Sequence, residues 1–226
     1  GSMAAGIIPT VKHFPGHGDT ENDSHGTLPK IEVDFETFKN RELVPFRYLI
    51  NTRVPAVMSG HLSFPHIDPT GTPASLSKYF LTDLLRNQLG YKGLIITDDM
   101  MMNGATMYAG SLSNAFRMAI QAGNDIIISS TCAKLHETLW TSNVNLISTE
   151  DEFRARVEDA AYRVIKSKLE YFKGGNAAPL YPNGSDIDAT IPDPDGEKFF
   201  LEQACRSITV YQGESELPPS KAGRVL

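Results

Sequence analysis

Short apolar segments alternate with amphipathic segments along the first 150 residues, and this alternation most constrains the fold. The apolar runs predict strands at residues 7–14 (IIPTVKHF), 55–61 (PAVMSGH), 93–97 (GLIIT) and 125–129 (DIIIS). Apolar strands that alternate with helical sequence are typical of parallel βα units covered by helices. The sequence therefore predicts an α/β fold with four βα units, which is half of a (β/α)8 barrel or a small doubly wound sheet.

The segments between the predicted strands carry helix signals. Residues 35–50 predict a helix that Asp34 caps and Pro45 bends. From Ser77 onward, apolar residues recur at three- and four-residue spacing, and Gly90 supplies a C-terminal cap. We therefore expect a helix after each of the first two strands.

The composition changes after a long predicted helix, which begins at a possible capping box formed by residues 149–152 (TEDE). Residues 174–196 are rich in Pro, Gly, Asn and Asp, which predicts a linker. Beyond it, residues 198–206 predict a helix and residues 208–211 a strand. We expect barrel residues 4–173, then the linker, and residues 197–226 as the start of a second α/β domain. The first three residues (GSM) resemble the remnant of an expression tag.

Charge and composition exclude several classes of protein. The formal net charge is −6 and no basic cluster stands out, so the sequence does not predict nucleic-acid binding. No apolar run approaches the roughly 18–20 residues that a membrane span needs. With two cysteines, neither a disulfide framework nor a cysteine zinc site is encoded.

Polar reactive side chains are concentrated directly after the first strand. Residues 12–20 read KHFPGHGDT, and the loop continues through DSH (23–25) to LP (28–29). Loops that follow the carboxyl ends of parallel strands build the active sites of α/β proteins. A metal site is an alternative, although the spacing of its possible ligands matches no helix-based or Cys/His motif: His13, His17, Asp19, Asp23 and His25.

A second polar group ends the third strand, where Asp98 and Asp99 follow four apolar or small residues. Burial and mutual repulsion would raise the pKa of at least one carboxyl group unless a cation or hydrogen bonds compensate. A metal-binding or helix-capping pair is the alternative. His61 follows the second strand and would line the same site or hold the structure.

These segments resemble the signature of glycoside hydrolase family 3, especially the bacterial β-N-acetylhexosaminidases that trim peptidoglycan fragments. The match lies in KHFPGHGDT, DSH and LP within residues 12–29, and TDD at 97–99 looks like the family's nucleophile motif. The resemblance covers residues 6 to about 172, as the second half of the catalytic barrel. It extends weakly over residues 197–226, as the entry to an α/β sandwich domain.

The resemblance implies a retaining glycosidase that removes terminal β-linked N-acetylglucosamine. It assigns Asp98 as the nucleophile, supported by Asp99, and His25 as the acid/base. A histidine suits both acid and base duty because its ordinary pKa is about 6.5. Asp23 would orient that imidazole and favour its protonated form. Lys12 and His13 would bind the sugar, and no metal or organic cofactor is implied.

Two other functions and one partner remain open at this point. A glycoside phosphorylase would pass the sugar to phosphate, and a non-catalytic carbohydrate-binding fragment would not turn it over. Four βα units leave two open strand edges, and unpaired edges invite pairing with another chain. We therefore expect self-association or pairing with the missing half of the barrel.

Overall fold

The computed structural model describes residues 2–20, 26–130, 138–175, 177–191 and 193–209. Its centre is a four-stranded parallel sheet in the order β1-β2-β3-β4. The strands are β1 (Thr10–Phe14), β2 (Ala56–Ser59), β3 (Leu94–Asp99) and β4 (Ile126–Ile128). This confirms the predicted α/β fold with a parallel sheet. The strand order has no reversal, unlike the order in a doubly wound sheet.

Helical segments connect the strands and follow the last one. Between β1 and β2 lie α1 (Phe35–Thr37), a π-helical turn (Phe38–Glu42) and α2 (Leu43–Asn51). A 3₁₀ turn (Ala74–Leu76) and a π-helix (Tyr79–Gln88) join β2 to β3. The remaining helices of the main unit are α3 (Asn103–Ala109), α4 (Leu112–Ala122), α5 (Thr138–Thr149) and α6 (Asp151–Lys173).

The two faces of the sheet are covered differently. Val57 and Ile95 are fully buried in a core against the helices, together with Phe14, Phe80 and Leu85. Side chains on successive strand residues point to opposite faces, so the other face carries Met58, Ile96, Ile126 and Ile128. All four are only partly buried. Parallel sheets are normally covered on both faces. In this sheet, the apolar face that carries these four residues is incompletely covered.

Local signals explain where the first two helical segments begin and end. The Asp34 carboxylate accepts a hydrogen bond from the Thr37 backbone N–H at 2.7 Å, which confirms the predicted cap. The irregular π turn ends before Pro45, which lies in the first turn of α2, where the missing N–H costs little. Gly90 follows the π-helix with φ +67°, a conformation that glycine adopts freely.

One local prediction was wrong, and two helices were not predicted. The capping box does not form, because Glu150 is the N-cap of α6 without a side-chain cap bond. The Thr149 hydroxyl donates instead to the Asn145 carbonyl within α5, a helix that the sequence pattern did not predict. The predicted linker contains α7 (Gly184–Thr190), which the Asn183 side chain caps at the Ser185 N–H.

The chain divides into two compact units, residues 1–178 and 179–226. In the second unit, α8 (Pro194–Ser207) begins four residues before the predicted helix. Ile208 and Thr209 are not in a strand, and the rest of the predicted strand 208–211 lies outside the described residues. The predicted boundaries at 173/174 and 196/197 therefore stay predictions. In the described parts of the chain, no helix is both long and apolar enough to cross a lipid bilayer.

Helix α6 crosses the amino-terminal ends of the strands. Near its start, Arg156 donates to the Asn124 carbonyl and to the Asp125 carboxylate, both just before β4. Near its end, the Tyr171 hydroxyl donates to the Gly6 carbonyl, just before β1. The carboxyl ends of the strands, where the polar motifs lie, are at the opposite edge of the sheet.

Candidate active site

The carboxyl ends of β1 and β3 bring a histidine and an aspartate together. The Oδ2 atom of Asp98 lies 3.4 Å from Nε2 of His13, and both side chains are about one-fifth exposed, 18% and 24% respectively. The register between β1 and β2 shifts between Val11 and Phe14, which interrupts the regular alternation of side chains around His13. Two groups from different predicted site segments therefore share one partly open surface.

Asp98 and Asp99 have different surroundings although they are adjacent. Oδ1 of Asp98 accepts a hydrogen bond from the Asp99 N–H at 2.8 Å. Oδ1 of Asp99 accepts from the backbone N–H groups of Met101 and Ser130, each at 3.0 Å, which ties β3 to the segment after β4. Burial raises the pKa of Asp99, but these donors and the Ser130 hydroxyl outweigh it and lower the pKa. Hydrogen bonds thus compensate for the burial and mutual repulsion that the sequence analysis expected to raise the pKa of one carboxyl group.

His61 is fully buried beneath this pair. Its Nε2 lies 3.0 Å from the Asp99 carbonyl oxygen, and its Nδ1 lies 2.7 Å from Oγ of Ser75. A carbonyl oxygen can only accept, so Nε2 carries the proton and Nδ1 accepts from the serine hydroxyl. Burial lowers the pKa of His61, which keeps the ring neutral. Its contacts fit the structural role that the sequence analysis left open.

His13 also has a lowered pKa, for reasons that concern the site directly. Burial is the largest cause of the lowered pKa, and Lys12 and His17 act in the same direction. The nearby Asp98 carboxylate opposes this shift without cancelling it. The ring of His17 meets that of His13 edge to face, with centroids 5.6 Å apart. His13 is therefore a neutral imidazole beside a carboxylate. The residue before it, Lys12, is exposed.

The loop after β1 is anchored on the side before residue 21. The Asp19 carboxylate is paired with the Arg41 guanidinium at 2.5 Å, and Arg41 also donates to Glu42 at 2.6 Å. Gly16 lies against Glu42, since a Cβ there would be 2.9 Å from Oε2 of that residue. The π-helical turn and the loop are thus held together by one arginine.

The same loop is anchored again after residue 25. A Cβ on Gly104 would lie 3.1 Å from the Thr27 carbonyl oxygen, 3.5 Å from Leu28 Cα and 3.5 Å from His61 Cβ. Gly104 is in α3, which starts shortly after β3 ends. Residues 26–28 therefore lie against the segment that follows Asp98. The predicted dyad of Asp23 and His25 itself lies outside the described residues.

The metal alternative has little support in the described part of the chain. There, no group of three or more His, Cys, Asp or Glu side chains is arranged to hold a metal ion. Of the five possible ligands in the first loop, Asp23 and His25 are outside the described residues. Asp19 is paired with Arg41, and His13 faces Asp98.

Two functional contacts were missed by sequence reasoning. Ser75 orients His61 from a 3₁₀ turn that shows no sequence period. Gly60 lies against His13, because a Cβ there would be 2.9 Å from His13 Cβ and 3.0 Å from Leu62 Cδ1. In the sequence, Gly60 directly precedes His61 after the second strand, and this glycine was the available signal for the second contact.

The described residues thus form a parallel βα sheet with a carboxylate and a histidine at its carboxyl edge, the edge at which α/β enzymes build their active sites. Residues 1–167 match the glycosyl hydrolase family 3 N terminal domain. The chain belongs to glycoside hydrolase family 3.

Individual relatives agree with this assignment. The β-hexosaminidase of Aromatoleum aromaticum is 35% identical over 161 residues, which is 70% of this chain and 43% of that protein. The solved family 3 β-N-acetylglucosaminidase from Paenibacillus sp. strain FPU-7 is 33% identical with a TM-score of 0.69, over 80% of this chain and 34% of that one. A solved β-glucoside phosphorylase, BglX, has a TM-score of 0.79 over 95% of this chain and 39% of that one. At 23% identity, the last likeness shows the fold alone. This chain spans less than half the length of each of these proteins.

Proposed function

We propose that the whole protein is a retaining β-N-acetylhexosaminidase that removes terminal β-linked N-acetylglucosamine through a covalent intermediate on Asp98. The observation that carries the proposal is the difference between the two adjacent aspartates. Asp99 is held by backbone donors on both sides, whereas Oδ2 of Asp98 faces His13 on a partly open surface. A carboxylate that attacks an anomeric carbon must present an oxygen to the sugar, and Oδ2 of Asp98, beside His13, is placed to do so.

The second group of the reaction is proposed to be His25, oriented by Asp23. A retaining glycosidase needs one group that protonates the departing oxygen and later activates water. The described residues on either side of this stretch support the role, because Asp19 is paired with Arg41 and Thr27 lies against α3, the helix that follows the strand carrying Asp98. Lys12 and neutral His13 would then bind sugar hydroxyl groups beside the nucleophile.

The test uses the whole protein and two aryl N-acetylglucosaminides, one with a good and one with a poor leaving group. Asp98→Asn should abolish turnover of both, while Asp151→Asn, whose side chain is 92% exposed, should behave as the parent. His25→Ala should lose about 10²–10⁴-fold on the poor leaving group and much less on the good one, since only the former needs full protonation. Normal turnover by Asp98→Asn would exclude that residue as the nucleophile.

Two further outcomes separate this proposal from the alternatives. Addition of phosphate should leave free N-acetylglucosamine as the product; formation of the sugar 1-phosphate would indicate a phosphorylase instead. Binding of N-acetylglucosamine without any turnover by the whole protein would indicate a non-catalytic carbohydrate-binding protein.

The fold of the whole protein is proposed to be a (β/α)8 barrel of which residues 4–173 form the C-terminal half, followed by a linker and the start of an α/β sandwich domain. The sequential strand order and the partly covered face carrying Met58 and Ile96 support it. The other four βα units would cover that face. In their absence, the 226-residue chain should self-associate. Light scattering should show association that Met58→Lys weakens and Met107→Lys, at a 74% exposed position, does not. A monodisperse monomer at micromolar concentration would contradict the proposal.

A further inference from the structure

A cleft of about 600 Å³ lies at the amino-terminal edge of the sheet, at the opposite end from Asp98. One wall is α6, and the other is formed by the loops before β2 and β3, residues 50–55 and 89–93. This volume is within the range of small-molecule sites, about 300–1,000 Å³. The cleft is therefore large enough for an organic molecule and separate from the candidate active site.

The cleft is cationic although the chain as a whole is acidic, with a net charge of −6. Arg53, Lys92, Arg163 and Lys166 line it together with one carboxylate, Glu170, which lies 3.8 Å from Lys166. Arg53 and Lys92 come from the two loops, and the others come from α6. Positive charge thus converges from three segments of the chain, which favours a bound anion.

A neighbouring cavity of about 250 Å³ adds to this excess of positive charge. It shares Tyr91, Lys92 and Arg163 with the cleft and brings in Arg86 and Arg156. The two cavities are therefore neighbours that share part of their walls.

Asp125 and Asp159 neutralise only part of this charge. Fully buried Asp125 accepts from Arg86 at 2.5 Å, from Arg156 at 2.7 Å and from Arg163 at 3.2 Å. Asp159 is paired with the last two of these arginines. Burial lowers the pKa of Arg86; Asp125 opposes this shift, and Arg163 and Arg156 reinforce it. Both carboxylates engage Arg163 through Nη1. Among the described residues, Arg53 and Lys92 are paired with neither of them and supply the charge that an anion would meet in the cleft.

The lining also has an apolar part. It consists of Ile50, Val54, Pro55 and Leu89, and buried Tyr91 lines the cleft as well. A ligand that satisfies both parts has an anionic group at one end and a compact apolar group at the other. Guanidinium groups match phosphate oxygens in pairs, so phosphate fits this set of donors well.

We propose that this cleft binds an organic phosphate, with the phosphate among Arg53, Lys92 and Arg163 and the apolar part against Val54 and Leu89. The site is independent of the proposed glycosidase activity, because its lining residues lie at the opposite end of the strands. Binding can therefore be measured in the 226-residue chain without any turnover.

The test is calorimetric titration of the chain with phenyl phosphate, with inorganic phosphate and phenol as its separate parts. Phenyl phosphate should bind saturably and more tightly than either part, and added salt should weaken it. The double variant Arg53→Glu and Lys92→Glu should weaken binding by at least about tenfold. Lys78→Glu makes the same kind of charge change at an exposed position outside the cleft and should have no effect.

Two additional variants make each outcome decisive. His13→Asn should leave binding unchanged; a loss there would show that phenyl phosphate occupies the active site and overturn the proposal. Lys166→Gln removes one charge of the cleft without reversing it and should weaken binding even if the double variant does not fold. The absence of saturable binding at millimolar phenyl phosphate would also overturn the proposal, as would equal losses in Lys78→Glu and the double variant.

Discussion

Replacement of Gly60 by alanine should disturb both stability and the position of His13. The added Cβ would lie 2.9 Å from His13 Cβ and 3.0 Å from Leu62 Cδ1. Leu62 is fully buried and cannot yield, so the strain falls on His13 and on the backbone of β2. Overpacking of this kind costs about 1–3 kcal/mol. Loss of backbone freedom in the unfolded chain offsets about 0.4–1 kcal/mol of that.

Gly18→Ala is the matched control, because a Cβ at Gly18 would have no heavy atom within 4 Å. Only the entropy effect of about 0.4–1 kcal/mol applies there, and it favours folding. The difference between the two variants therefore isolates the steric cost at Gly60, about 1–3 kcal/mol.

Urea unfolding of the 226-residue chain, followed by circular dichroism and by the fluorescence of Trp140 in α5, measures this difference. In the whole protein, Gly60→Ala should also lower kcat/KM, whereas Gly18→Ala should not. Equal stability of the two variants, together with normal kinetics for Gly60→Ala, would refute the packing of His13 against this glycine.

Three other changes test separate parts of the structure. Asp125→Asn should destabilise the chain by about 3–5 kcal/mol, because it leaves buried guanidinium groups without their carboxylate; Asp159→Asn, at a 46% exposed position, should cost less than about 1 kcal/mol in the same urea titration. Arg41→Met should reduce turnover of the poor leaving group more than that of the good one, because it releases the loop before residue 21. It should also lower the melting temperature, because buried Glu42 loses its partner, and equal losses on the two substrates would contradict the role of the loop. Burial lowers the pKa of His61 below its unfolded value of 6.5, so its stabilising effect is complete above about pH 6.5 and is lost as the pH falls towards the lower folded pKa. His61→Gln should remove this part of the pH dependence of the unfolding free energy, and an unchanged profile would contradict it.

The strands were predictable because each is a short apolar run, and so was the approach of His13 to Asp98, because polar residues end two of those runs. β3 ends on Asp98 and Asp99, and β1 ends on His13 and Phe14, so the carboxyl edge of the sheet brings the first aspartate to His13. The helix caps at Asp34 and Gly90 were predictable for the same reason, since each depends on one local residue.

Features that depend on contacts between distant segments were not predictable from the sequence. The Asp125 cluster joins residues 31 to 39 positions apart, and no local pattern links them. Thr149 satisfies its hydroxyl inside α5 rather than capping α6, which a four-residue motif cannot reveal. The different fates of Asp98 and Asp99 depend on the Ser130 N–H, which approaches only once β3 and β4 pair.

The most direct measurement is the mass of the peptide that contains Asp98 after rapid quenching of the whole protein during turnover. A retaining mechanism with this nucleophile predicts one added N-acetylglucosamine unit on that aspartate, and none in Asp98→Asn. A sugar attached to a different side chain, or the same adduct in the variant, would contradict the assignment of Asp98.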